Sequence, residues 1–218
     1  HNYVIAKGVD MANLDTKLIN LLSAIRSEFP DFKVKYKDES RFMRILSYFL
    51  FFNKGFMTNF ITTLGKTIYF PTKGWIKEDQ FRAIVVISHE WMHMKDDQKW
   101  SILYKIGYLS PQILAILAIL SPISPIFLGF LVFLLPIPSP IRAYFELRAY
   151  AIGNAVGWWI YKIEPDWDRI SQNFTNSSYF WMFPFKKLVI NRLKSDFERA
   201  KKNDLTKFER EIFNVLVG

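Results

Sequence analysis

His89 and His93 stand four residues apart in the segment Ser88-His89-Glu90-Trp91-Met92-His93. On a helix that spacing projects both imidazoles from one face. Two imidazoles so placed can fill two corners of a tetrahedral zinc site. Glu90, beside the first of them, can reach a zinc-bound water as general base. The chain has three histidines, and the third is His1 at the extreme end, so both internal histidines fall in this one pattern. The preceding segment, Ala83 to Ser88, is apolar, as a buried active-site helix requires. The competing reading is a chance match on an amphipathic helix whose histidines are polar surface groups.

A third histidine six residues after His93 would extend the motif in the metzincin manner, but that position is Lys99. With only His1 left, the third ligand is expected to be a carboxylate on a later helix. Glu146, in Glu146-Leu147-Arg148-Ala149-Tyr150, is the best candidate, because few other carboxylates lie in an apolar helical context. Its competing role is an ordinary surface glutamate.

At these residues the chain resembles the gluzincins, whose third zinc ligand is a glutamate on a downstream helix. Ala149 matches the small residue that lets that helix pack closely. Tyr150 stands where the family usually has an aspartate that accepts a hydrogen bond from the first zinc histidine, and Asp96 or Asp97 is the alternative source of that carboxylate. The resemblance implies an edge strand just upstream of the HExxH helix, on which substrate pairs as an added strand. Thr67, Ile68, Tyr69 and Phe70 occupy that place. The order of elements, over about Gly65 to Gly157, is also similar to that of membrane gluzincins of the CAAX-prenyl-protease type, which place hydrophobic segments between HExxH and the glutamate helix. The implied activity is a zinc endopeptidase acting on a peptide or protein substrate. Tyr150, Arg148 and Tyr144 are unranked candidates for the oxyanion stabiliser or for support of the ligands.

Several elements must position these groups. Leu14, Leu18, Leu21, Leu22 and Ile25 recur at helical spacing in a segment that Pro30 ends. Phe32 to Tyr36 alternates apolar with basic and reads as a half-buried strand, and Thr67 to Phe70 as a second. A helix is expected from about Ser40. Another runs from Glu78 to about Lys99, although the run Ile84-Val85-Val86-Ile87 also suits a strand. Further helices are expected from Arg142 to Ile163, from about Phe185 to Lys202, and from Thr206 to Leu216. No internal repeat and no linker is apparent. The expectation is one helix-rich α+β zincin-like domain over residues 1–218 with a small sheet.

From Ile106 to Ile141 there is no charged residue. Ser-Pro pairs at Ser110-Pro111, Ser121-Pro122, Ser124-Pro125 and Ser139-Pro140 are helix-start signals. They divide the stretch into two short apolar helices, roughly Pro111 to Leu120 and Pro125 to Leu135. Each would be ~15 Å long as an α-helix, half of a ~30 Å hydrocarbon core. The expectation is an apolar helical hairpin inserted at about 106–141 that meets a membrane or a hydrophobic protein partner.

The chain has 218 residues, half of them hydrophobic and 17% aromatic, which excludes global disorder. A formal charge of +9 suits anionic partners. The densest basic stretch, Lys186 to Lys207, is interrupted by acids, so nucleic acid is not the expected partner. The absence of cysteine excludes disulfides, thiolate metal sites and a cysteine nucleophile. No signal-peptide pattern follows His1. The alternative function is a membrane-active structural or delivery protein whose zinc is structural, with Trp158, Trp159, Trp167 and Trp181 at an interface.

Overall fold

A computed structural model describes residues 11–49, 55–135, 137–176 and 181–218. His1 lies outside them. The chain forms two compact units, one of residues up to Met94 with 156–162 and 205–218, the other of 95–155 and 163–204. Helices α4 (Gln80–Trp100) and α6 (Pro140–Tyr161) run unbroken through the boundaries, so neither unit is a separable stretch of sequence.

The first unit opens with α1 (Met11–Glu28), which buries Leu14, Leu18, Leu21 and Ile25 along one face. β1 (Lys33–Tyr36), α2 (Arg41–Phe49), β2 (Thr62–Leu64), β3 (Thr67–Phe70) and α3 (Lys73–Glu78) follow. The sheet has the order β1-β3-β2, with β1 parallel to β3 and β2 antiparallel to it. The register pairs Val34 with Ile68 and Thr63 with Ile68. This corrects one expectation. Thr67 to Phe70 is the central strand, not an edge, because both of its hydrogen-bonding sides are taken. Short β2, unread in the sequence, takes one side of β3, and β1 takes the other. Among the described strands only β1 and β2 keep an outer edge.

Asp79 starts α4 by accepting a hydrogen bond from the Arg82 amide at 2.8 Å, and its carbonyl accepts from the Ala83 amide. Ala83 to Ser88 are all buried. A helix enclosed on every side needs no polar stripe, so the β-branched run is helical here despite its strand propensity. α9 (Lys207–Leu216) carries a capping box between Thr206 and Glu209.

The second unit holds the rest of α4, then α5 (Ile102–Leu109), two 3-10 helices (Gln112–Leu120 and Pro125–Leu134), most of α6, α7 (Trp167–Thr175) and α8 (Lys186–Lys201). Its core gathers Ala143, Tyr150, Ile170, Phe174, Met182, Val189 and Leu193. The 3-10 helices lie against each other. They were expected to be α-helices without a repeat, and the sequence explains the difference. Gln-Ile-Leu, Ala-Ile-Leu, Ala-Ile-Leu is followed by Ile-Phe-Leu, Gly-Phe-Leu, Val-Phe-Leu from Ile126. A three-residue repeat places like residues in straight rows when a helix has three residues per turn. Phe127, Phe130 and Phe133 form such a row, with successive ring centroids 6.1 Å apart. That is three residues at the ~2 Å rise of a 3-10 helix.

Candidate metal centre

Trp91 sets the rotation of α4. Its ring is fully buried, its Nε1 donates to Glu28 Oε2 at 2.9 Å, and it meets the Phe208 ring edge-on at 5.2 Å. His89 and His93 are each two residues from Trp91, about 200° around the helix, so both imidazoles leave from the opposite side. Their Nε2 atoms stand 3.1 Å apart. His93 is buried at 7% exposure, and His89 and Glu90 are half-buried.

Glu146, on α6, is 5% exposed. One ligand atom from each of His89, His93 and Glu146 lies within 4.8 Å of the others, and this group could hold a metal ion. The donor chemistry fits. Two nitrogens bound tetrahedrally at ~2.05 Å would be about 3.3 Å apart, close to the spacing of the two imidazoles. A carboxylate completes a set that suits a hard-to-borderline divalent ion.

Tyr108, on α5, donates its phenol to Glu146 Oε1. Burial and the Glu146 charge hold that phenol well above its ordinary value of 10, so it keeps its proton and remains a donor. Gly107 makes the contact feasible. A Cβ there would stand 2.6 Å from Ile141 Cγ2, so only glycine lets α5 approach the first turn of α6 this closely. Arg142 then lies over the Tyr108 ring, 5.2 Å from its centroid.

The three residues named for oxyanion or ligand support have the following partners. The Tyr150 hydroxyl accepts from Asn173 Nδ2 at 2.8 Å, and its ring packs on Phe174 in the core of the second unit. Arg148 pairs with Asp96 and lies 5.6 Å from the ring of half-exposed Tyr144. Asp96 is 1% exposed, and burial lifts its carboxyl to about 6 even though Arg148 pulls the other way. Asp97 pairs with Lys105 at 3.6 Å. Asp96 therefore ties α4 to α6 through Arg148. Ala149, expected as the small residue of a close helix contact, is fully buried. Tyr108 went unread as a site residue, although the glycine before it in an apolar stretch was a signal of close packing.

No protein-family model, curated protein or solved structure matches the chain. Any functional conclusion therefore rests on the chain's own residues.

Proposed function

We propose that the chain is a zinc-dependent endopeptidase with a zincin-like domain, in which the paired 3-10 helices form an inserted apolar hairpin. The observation that carries this reading is the convergence of His89, His93 and Glu146 donor atoms within 4.8 Å, with Glu90 adjoining the first ligand on the same helix. When bound, zinc supplies a Lewis acid for the scissile carbonyl and lowers the pKa of a water. Glu90 takes the proton of the attacking water and returns it to the leaving amine. Tyr108 orients the Glu146 carboxylate, and the Asp96–Arg148 pair holds the glutamate helix to the histidine helix.

The alternative, a structural zinc in a membrane-active protein, is less well supported. Structural sites have four protein ligands, whereas three donors converge among the described residues, which leaves a position for water and substrate. The test is metal analysis of the purified protein joined to a peptide-library digest of the parent and of Glu90→Gln. About one zinc per chain in both proteins is expected, with cleavage reduced at least about a hundredfold in the variant. Absence of stoichiometric zinc under non-chelating conditions, or iron in its place, overturns the proposal. So does cleavage unchanged by Glu90→Gln.

A further inference from the structure

We propose that the paired 3-10 helices dock into one leaflet of an anionic lipid bilayer. This goes beyond the hydrolytic reading and does not depend on it.

No residue of either 3-10 helix is buried, and Ile126 is 77% exposed. With three residues per turn, each helix shows three rows. On the first helix these are Ile113-Ile116-Ile119, Leu114-Leu117-Leu120 and Gln112-Ala115-Ala118. On the second they are Phe127-Phe130-Phe133, Leu128-Leu131-Leu134 and Ile126-Gly129-Val132. Each helix turns at most one side to its partner, so the remaining rows meet the surroundings, and the one polar side chain in them is Gln112 at the base, whose amide donates to the Ile137 carbonyl at 3.2 Å. A protein partner covers one face and leaves a polar rim. A pair that is apolar all round has no rim to offer, and hydrocarbon is the medium that meets every side at once. Helical backbone satisfies its own hydrogen bonds there. The open groove between the helices, lined by Ala115, Ala118, Ile116, Leu128, Leu131 and Leu134, is apolar apart from Gln112 at its base.

Length selects one leaflet. At ~2 Å per residue the two helices are about 18 and 20 Å long, too short to cross a ~30 Å core, and a tilted pair of that length enters from one side and turns back. Among the described residues no single helix is long and apolar enough to cross a membrane, and α5 is bent by 89° from the first 3-10 helix. The tip turn carries Pro122 and Ile123, the latter 78% exposed.

Charge selects anionic lipid. The base of the pair is flanked by Lys105 on α5 and Arg142 on α6, with exposed Lys99 lying 5.1 Å from the ring of exposed Trp100. Of the two nearby aspartates, Asp96 pairs with Arg148 and Asp97 with Lys105 at 3.6 Å, which leaves Arg142 and Lys99 as the cations for the lipid surface. Basic residues beside an amphipathic aromatic suit the headgroup plane of an anionic surface.

The test uses the full chain. It has no cysteine, so Gly129→Cys carries a single environment-sensitive fluorophore, and a Cβ at Gly129 meets nothing within 4 Å. Vesicles of phosphatidylcholine alone are compared with vesicles also holding roughly 30% phosphatidylserine. The expected result is a blue-shifted, brighter label with the anionic vesicles. Partition should be at least about tenfold stronger than to neutral vesicles and weakened by roughly 0.5 M salt. Gly129→Glu should lower partition by at least about tenfold with unchanged circular dichroism, because a carboxylate enters the hydrocarbon. A label still in water at saturating anionic lipid overturns the proposal. Equal partition to neutral vesicles removes its anionic part. A label that becomes buried without lipid as protein concentration rises replaces the bilayer with a second copy of the chain.

Discussion

Lys37 is fully buried at the end of β1, and its chemistry makes a pH experiment decisive. Its amide continues the pairing of β1 with β3 by donating to the Phe70 carbonyl at 2.8 Å. Its Nζ donates to the carbonyls of Phe56 and Phe60 at 2.6 and 2.8 Å and stands 4.0 Å from the Phe56 ring centroid. No carboxylate pairs with it among the described residues. Two carbonyls match the two protons of a neutral amine, whereas an ammonium brings a third that needs an acceptor. Burial lowers the lysine from 10.5 to about 7. Between those values the unfolded chain holds a proton that the folded protein has released, so stability rises with pH across that window. Below about 7 the full cost of burying the charge is felt. Each pH unit of the window carries about 1.4 kcal/mol, so the whole is worth roughly 4 to 5 kcal/mol as a ceiling.

The comparison is with Lys37→Met. That substitution leaves the two carbonyls without their donor, a loss of about 1 to 3 kcal/mol each that does not depend on pH. Titrations elsewhere in the molecule cancel between the two proteins. The difference in slope is therefore the diagnostic quantity. From about pH 7.5 to about pH 9.5 the parent should gain roughly 2.5 kcal/mol on the variant in urea unfolding. Parallel pH dependences would show that Lys37 keeps its proton throughout, and that the two carbonyls and the Phe56 ring face suffice to hold an ammonium.

Two further outcomes are expected from single changes. Tyr108→Phe removes the donor to Glu146 while keeping the ring, and should weaken metal binding about 10- to 100-fold in a chelator competition; unchanged affinity would mean that the phenol does not orient the ligand. Arg148→Met leaves the Asp96 carboxylate buried and unpaired, and should cost about 3 kcal/mol at pH 8 by urea unfolding. Asp96 sits at about 6, above its ordinary 3.8, so its contribution to stability is greatest below 3.8 and is lost as pH rises to about 6. The variant's loss should therefore shrink at pH 5, where the carboxyl takes up a proton, and an equal loss at both pH values would refute the argument.

Local spacing carried much of the site. The i, i+4 relation between His89 and His93 needs only a helix, and the helix-rich chain with its small sheet followed from periodicities within single segments. What escaped was set by contacts distant in sequence. Tyr108 and Glu146 are 38 residues apart, and only the meeting of α5 with α6 at Gly107 joins them. Tyr150 lies one turn beyond Glu146, and its hydroxyl accepts from Asn173 on α7, a partner that nearness along the chain could not show. β3 was assigned an edge from the family resemblance, and three-residue β2, which takes up one of its sides, was too short to read.

The 3-10 pair is the opposite case, a feature written plainly in the sequence and read with the wrong period. Counting apolar residues there gives no helix type, because every position is apolar and any period fits. Identity, not hydropathy, holds the information. Ile falls on Ile, Leu on Leu and Phe on Phe at every third residue from Ile113 to Leu134, and the proline-bearing turn at Ser121 to Ser124 interrupts the count without disturbing its spacing on either side. An α-helix would spread those rows around its cylinder at 300° per repeat, whereas three residues per turn stack them, as the evenly spaced Phe127, Phe130 and Phe133 rings do. Straight rows on all sides leave no polar face, so the same repeat that matches the helix type also leaves the pair in need of an apolar medium.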